Sequence, residues 1–95
     1  MVCATGEIME FTKTSIRIGR DVSCDMVWTQ PYVSRIHTNI RKLPDGTYAV
    51  TDLNTANGTY VFSQDGSSKR LSPNSEEVVF TGSVIAFGEA KVQIL

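Results

Sequence analysis

Short segments in which apolar and polar residues alternate are the feature that most constrains the fold of this chain. Ile16 and Ile18 alternate with polar neighbours before Gly19, and a second alternating segment runs from Ile36 to Arg41. Because successive side chains on a β-strand point to opposite faces, this pattern predicts strands with one buried face. No long stretch keeps the period of roughly 3.6 residues that marks an amphipathic helix. The chain is therefore expected to be all-β.

Turn signals separate these segments at close intervals. Pro44-Asp45-Gly46 predicts a hairpin turn between the strand around Ile40 and a strand that resumes at Tyr48. Short strands separated by frequent turns are typical of a β-sandwich or a small barrel. Strand and turn signals then alternate to the end of the chain: Tyr60–Phe62, Asp65-Gly66, Val78–Phe80, Thr81-Gly82, Val84–Phe87, Gly88-Glu89 and Val92–Ile94.

Length, charge and cysteine content exclude several classes of protein. The 95 residues suffice for one domain, and a net charge of -1 argues against a nucleic-acid partner, which requires a basic surplus. No apolar run reaches membrane-spanning length, and the N-terminus lacks the basic-then-apolar pattern of a signal peptide. Cys3 and Cys24 lack metal-site spacing, so we expect small buried thiols in a reducing compartment.

Four polar clusters lie at the ends of the apolar segments. A guanidinium, a hydroxyl and carboxamides at such positions are suited to binding a phosphate or an extended peptide backbone. Loops on a rigid scaffold are also where binding residues usually lie. The clusters are Gly19-Arg20, Ser34-Arg35-Ile36-His37, Asn54 and Asn57-Gly58-Thr59.

A serine and a histidine in one cluster also raise the hypothesis of a small hydrolase, with Ser34 as nucleophile, His37 as base and Asp52 as its orienting partner. No nucleophile elbow or oxyanion glycine cluster accompanies them. If the segment were a strand, residues 34 and 37 would also lie on opposite faces of it. The sequence therefore argues against an enzyme.

The order of the motifs resembles the forkhead-associated (FHA) domain family, over nearly the whole chain. The motifs are Ile18-Gly19-Arg20, Ser34-Arg35-Ile36-His37, Asp52-Leu53-Asn54 and Asn57-Gly58-Thr59-Tyr60-Val61. The resemblance implies an all-β, two-sheet β-sandwich of about eleven strands with SMAD/FHA-like topology. It implies one domain over residues 1–95, a module of a longer protein, that binds phosphothreonine-containing proteins or peptides in signalling. We expect a monomer in the cytoplasm, or in the nucleus of a eukaryote, without cofactor, metal, nucleic acid or membrane insertion.

The same resemblance assigns roles to individual residues. Direct contacts to the phosphopeptide are expected from Arg20, Ser34, Arg35, Thr55 and Asn57. Support of the binding loops is expected from Gly19, His37, Asn54 and Gly58. Independently of the resemblance, a serine at a turn offers both its hydroxyl and a backbone N–H to an anion, so both are expected from Ser34.

One position departs from the family pattern. Ala56 stands where these domains usually carry a Ser or Thr whose hydroxyl contacts the phosphate. A hydrogen bond to a charged group contributes about 1.5–3 kcal/mol, so its loss predicts weaker binding unless Thr55 substitutes. Two functions remain open: a phosphothreonine-peptide binding module, or a phosphorylation-independent interaction and scaffold domain of the same fold.

Overall fold

The computed structural model describes residues 2–3, 14–87 and 90–94, and these residues form ten β-strands. The expected all-β, two-sheet sandwich is confirmed, with ten strands in these ranges against the expected number of about eleven. The turn predicted at Gly88-Glu89 lies outside the described residues. Nowhere in the three described ranges is there an apolar helix of bilayer-spanning length.

The strands follow one another along the chain and divide equally between two sheets. One five-stranded sheet has the order β1-β10-β9-β6-β7, and the other has the order β3-β2-β4-β5-β8. In chain order the strands are β1 (Val2–Cys3), β2 (Ser15–Gly19), β3 (Met26–Val27), β4 (Thr38–Lys42), β5 (Tyr48–Asp52), β6 (Tyr60–Phe62), β7 (Ser68–Arg70), β8 (Glu76–Val79), β9 (Val84–Phe87) and β10 (Ala90–Gln93).

The inward face of each sheet supplies a hydrophobic core, as the alternating pattern predicts. Ile18, Ile40 and Val50 are fully buried on one sheet, and Ile85 and Phe87 are fully buried on the other. Burying such a side chain contributes roughly 1.5–3 kcal/mol each, which makes this core the main source of stability.

The cysteines were expected to be small buried thiols. Cys24 is buried, and its thiol donates to the carbonyl of Arg35 at 3.5 Å. Burial raises the pKa of this thiol. The side chain of Cys3 lies outside the described residues.

The predicted hairpin is present and sets the register of the second sheet. β4 and β5 pair antiparallel with Ile40 opposite Val50, and Gly46 closes the turn at a φ of 89°. The pairings also place Ile18 beside Thr38 and Thr38 beside Asp52. The chain therefore leaves β2, enters β4 and leaves β5 at one end of the sandwich.

The alternation predicted from Ile36 begins two residues later than expected. Strand β4 starts at Thr38, and the preceding residues 31–37 form turns and bends. His37, which strict alternation would turn outward, is fully buried, while Ile36 is only half-buried. The prediction that residues 34 and 37 occupy opposite faces of a strand is therefore wrong, because this segment is a loop.

Candidate functional site

Three loops meet at the end of the sandwich defined by Thr38 and Asp52, and we name them by their residues: the 20–25, 28–37 and 53–59 loops. The backbone N–H of Arg20 donates to the carbonyl of Ser34 at 3.0 Å. The side-chain amide of Asn57 donates to the carbonyl of Tyr32 at 2.8 Å. These bonds bring together the loops that carry Arg20, Ser34 and Asn57.

Arg20 begins the 20–25 loop directly after the buried Gly19. A side chain at position 19 would collide with the backbone carbonyl of Arg35, so only glycine allows the two loops to pack this closely. The side chain of Arg20 is exposed, and no hydrogen bond or ion pair joins its guanidinium to any described residue. A guanidinium in this situation has its full fork of donors available to an anion.

Ser34 presents its hydroxyl, but not its backbone N–H, to a ligand. The N–H donates to Nδ1 of His37 at 3.0 Å, so the expected second donor is already engaged. Within the described ranges, the hydroxyl of Ser34 has no hydrogen-bond partner, and the residue is half-buried. Its usable donor is therefore the hydroxyl alone.

His37 joins two of the loops from its buried position. Because Nδ1 accepts the N–H of Ser34, the ring proton resides on Nε2, which donates to the carbonyl of Gly58 at 2.9 Å. Both ring nitrogens are thus engaged, and the 28–37 loop is tied to the 53–59 loop. The contacts of His37 are those of a residue that supports the loops.

Asp52 organises the 53–59 loop, a role that sequence reasoning missed. Its Oδ1 accepts the hydroxyls of Thr55 and Thr59, each at 2.7 Å, and its Oδ2 accepts the backbone N–H of Thr55 at 3.1 Å. Burial alone would raise the pKa of Asp52, but the hydrogen bonds from Thr55 and Thr59 outweigh it and the pKa is lowered. Asp and Thr side chains often form hydrogen bonds within their own loop, so an Asp followed closely by two Thr residues is the sequence signal that could have revealed this role.

Thr59 extends this network to the opposite sheet. The hydroxyl of Thr59 donates its proton to Asp52 and can only accept from Thr38. The Thr38 hydroxyl is therefore the donor in the 2.9 Å hydrogen bond between the two. Thr38 begins β4 in one sheet, and Thr59 immediately precedes β6 in the other. The loop is therefore fixed to both layers of the sandwich by buried polar contacts.

Thr55 belongs to this scaffold. Its hydroxyl donates to Asp52 and accepts the backbone N–H of Gly58 at 3.0 Å. With its proton given to a carboxylate, the hydroxyl has none left for a phosphate oxygen. These contacts favour loop support over the direct phosphate contact expected from the sequence.

Asn54 and Gly58 give the loop its shape. Asn54 has a φ of 61° and Gly58 a φ of 81°, both in the left-handed region that Asn and Gly adopt at the lowest cost. The side chain of Asn54 is exposed. Both residues therefore shape the loop through their backbone.

Arg35 is exposed at the edge of the site and paired with an acid. Its guanidinium lies 3.2 Å from Asp21, and 76% of its side chain is exposed against 24% for Asp21. The pKa of Asp21 is lowered, first by hydrogen bonds from the N–H and the hydroxyl of Ser23 and then by Arg35. Exposed ion pairs contribute only about 0–1 kcal/mol, so Arg35 could exchange Asp21 for an incoming anion at little cost.

The residues of the hydrolase hypothesis do not form a triad. Ser34 contacts His37 through its backbone N–H and not through its hydroxyl. The carboxylate of Asp52 accepts from threonines, while His37 donates to Gly58. Within the described residues there is also no cluster of His, Cys, Asp or Glu that could hold a metal ion.

Comparison with known proteins agrees with this geometry. The family model described as FHA domain matches residues 16–88. A stretch of 61 residues is 39% identical to the chloroplastic zeaxanthin epoxidase of Solanum lycopersicum, and it covers 64% of this chain and 9% of the epoxidase.

Solved structures also resemble this chain. Mycobacterium tuberculosis EmbR in complex with a low-affinity phosphopeptide superimposes with a TM-score of 0.79 at 26% identity, over 95% of this chain and 22% of EmbR. An FHA domain from work on phosphothreonine-dependent FHA domain interactions has a TM-score of 0.72 at 27% identity, over 95% of this chain and 84% of that domain. The chain thus spans a small part of the epoxidase and of EmbR, and most of the second domain.

Proposed function

The chain belongs to the FHA domain family, and we propose that it binds phosphothreonine-containing proteins or peptides through the loops that carry Arg20, Ser34 and Asn57. The observation that carries this proposal is the pairing of the Arg20 and Ser34 backbones at 3.0 Å. This bond makes neighbours of two residues, one with an exposed guanidinium and the other with an unengaged hydroxyl. A phosphate dianion is the ligand that such a pair of donors fits best.

The solved relatives support the same class of ligand. EmbR was solved with a phosphopeptide, and a second FHA domain comes from work on phosphothreonine-dependent interactions. Both share more than a quarter of their residues with this chain over the aligned region. The proposal extends their ligand class to this chain.

Asn57 is assigned to the backbone of the bound peptide. A carboxamide has two N–H donors and a carbonyl oxygen, and the bond to Tyr32 uses one N–H. The second N–H and Oδ1 remain, and together they match the C=O and N–H of an extended peptide. Asn57 could therefore bind the ligand while it still holds Tyr32.

The number of contacts limits the affinity. Charge-assisted bonds from Arg20 and Ser34, with those of Asn57, give a gross gain of roughly 5–10 kcal/mol, and ordering the peptide offsets several kcal/mol. A dissociation constant on the order of micromolar corresponds to a binding free energy of about -8 kcal/mol, so it requires the upper end of this gain together with further contacts between the peptide and the loops. Ala56 adds no hydroxyl to this set, in line with modest affinity.

The proposed role is binding rather than catalysis, within a longer intracellular chain. Kinases phosphorylate threonines inside the cell, and the buried Cys24 thiol is stable in that reducing environment. As a monomeric module, the domain would recruit a phosphorylated partner to whatever the rest of its chain carries. It would act in the cytoplasm, or in the nucleus if the source is eukaryotic.

Calorimetric titration of matched threonine and phosphothreonine peptides tests the proposal. Wild-type protein should bind the phosphorylated peptide at about micromolar concentration and the unphosphorylated one at least about a hundredfold more weakly, because two charge-assisted contacts depend on the phosphate. Arg20→Ala and Ser34→Ala should each lose phosphate-dependent binding. Arg17→Ala, which changes an exposed arginine of the preceding strand β2, should retain it.

Circular dichroism verifies that each variant is folded. Equal binding of the two peptides by the wild-type protein would contradict the proposal. It would favour the phosphorylation-independent interaction instead.

A further inference from the structure

Arg70 places a second guanidinium beside the loop that carries Asn57. Arg70 ends β7 and pairs with Tyr60 at the start of β6. A Cβ atom at Gly58 would lie 2.7 Å from Nε and 3.0 Å from Cζ of Arg70, so the guanidinium rests directly against the backbone of Gly58. Its Cζ also lies 5.8 Å from the centre of the Tyr60 ring, within the range of a cation–π contact.

This guanidinium is held by two contacts, while its hydrogen-bond donors are free. Gly58 and Tyr60 brace it from two sides, and no hydrogen bond or ion pair joins its side chain to another residue in the described part of the chain. The neighbouring Lys69 differs, because its Nζ lies 2.6 Å from Glu77. A braced arginine with unused donors loses little side-chain entropy when it binds a carboxylate.

The contacts place Arg70 beside the loop that carries Asn57 and connect it, residue by residue, to Arg20. Ser34 adjoins Arg20, Asn57 is bonded to Tyr32 of the same loop as Ser34, and Arg70 lies against Gly58, the residue after Asn57. A peptide with its phosphate at Arg20 and its backbone at Asn57 would bring a flanking residue near Arg70. A cation at that point selects an acidic side chain and disfavours a basic one.

We propose that Arg70 is a specificity-determining residue, which binds an aspartate or glutamate side chain on one flank of the phosphothreonine. This inference rests on the proposed function, because it requires the peptide to lie across Asn57. Sequence reasoning missed Arg70, since an arginine at the end of a short exposed strand has no distinguishing pattern.

A peptide scan tests the inference. A set of phosphothreonine peptides carries one aspartate, at a different flanking position in each peptide, and no other charged side chain. The affinity of each peptide is measured by fluorescence anisotropy. At one position, or two adjacent positions on a single flank, the aspartate should strengthen binding by about three- to tenfold at low salt, and by less at higher salt.

Variants at position 70 then identify the residue responsible. Arg70→Gln should remove the gain from aspartate. Its affinity for the phosphopeptide without aspartate should stay within about twofold of wild type. Arg70→Glu should reverse the preference and favour lysine at the same peptide position. The matched control, Lys69→Gln, should keep the wild-type preference for aspartate. Denaturation midpoints followed by Trp28 fluorescence verify that the variants are folded.

Two results would overturn the inference. One is the absence of any position at which aspartate strengthens binding. The other is a gain from aspartate that persists in Arg70→Gln. If the phosphopeptide without aspartate binds no more tightly than its unphosphorylated form, that result would instead contradict the proposed function itself.

Discussion

Replacing Asp52 by asparagine tests whether its carboxylate supports the binding loops. The side chain keeps its shape, and Oδ1 can still accept the hydroxyls of Thr55 and Thr59. The amide nitrogen, however, replaces Oδ2 and faces the backbone N–H of Thr55, which now donates to that oxygen at 3.1 Å. One hydrogen bond is lost, and two donors oppose each other in a buried site.

The cost follows from these contacts. A buried donor left without an acceptor costs about 1–3 kcal/mol, and loss of the negative charge weakens the two remaining bonds by roughly 0.5–1 kcal/mol each. Neutralising Asp52 also removes the desolvation cost of its charge, which offsets part of this loss. We expect a net loss of about 2–3 kcal/mol from a total of roughly 5–14 kcal/mol for 95 residues. The variant should therefore fold but be distinctly less stable.

Urea denaturation followed by Trp28 fluorescence measures this loss. Trp28 is the one tryptophan of the chain, and its ring packs 4.7 Å from that of buried Phe87. Asp45→Asn is the matched control, since exposed Asp45 accepts from the N–H and hydroxyl of Thr47 at 3.0 and 2.6 Å. It should lose less than about 1 kcal/mol, because water replaces those contacts.

The pH dependence of the stability lost in Asp52→Asn provides a second test of the role of the carboxylate. The folded pKa of Asp52 is lowered, so its ionised form stabilises the fold at every pH above the unfolded value of about 3.9. That stabilisation is lost as the pH falls through the lowered folded pKa. The difference in unfolding free energy between wild type and Asp52→Asn should therefore be constant from neutral pH to about pH 5 and shrink below about pH 4. A loss equal to that of Asp45→Asn, or a difference that does not shrink in acid, would refute the role given to Asp52.

Three further substitutions test the contacts expected at Ala56, the packing at Gly19 and the ion pair of Asp21 with Arg35. Ala56→Thr introduces a hydroxyl at the exposed loop position and should strengthen phosphopeptide binding by about three- to tenfold in calorimetry. Ala56→Val, whose side chain has the same shape, should not, and equal effects of the two variants would refute a hydroxyl contact there. Gly19→Ala drives a Cβ into the carbonyl of Arg35 and should lower the free energy of unfolding by about 2 kcal/mol or more, and a neutral result in urea denaturation would show that the two loops separate easily. Asp21→Asn removes the carboxylate that competes for Arg35 and should strengthen phosphopeptide binding by about two- to fivefold; unchanged affinity would remove Arg35 from the proposed site.

Features that depend on local pattern could be predicted from the sequence. Period-two alternation identified the strand around Ile18, and Pro44-Asp45-Gly46 identified the hairpin, because side-chain direction and turn chemistry are properties of neighbouring residues. The order of short motifs identified the family, which the match over residues 16–88 confirms.

Features that depend on which donor meets which acceptor could not be predicted. Ser34 and Thr55 each carry groups suited to a phosphate. In the fold, however, the N–H of Ser34 donates to His37 and the hydroxyl of Thr55 donates to Asp52. Alternation also failed at His37, since a loop has no fixed side-chain period. Arg70 was missed because only the packing of β7 against the 53–59 loop brings it to Gly58.

A structure of this domain bound to a phosphothreonine peptide would show whether Arg20, Ser34 and Asn57 together hold the ligand. We expect phosphate oxygens within hydrogen-bonding distance of the Arg20 guanidinium and the Ser34 hydroxyl, with the Asn57 amide on the peptide backbone. A phosphate bound on another surface, or a peptide held at these loops with its phosphate in solvent, would contradict this expectation.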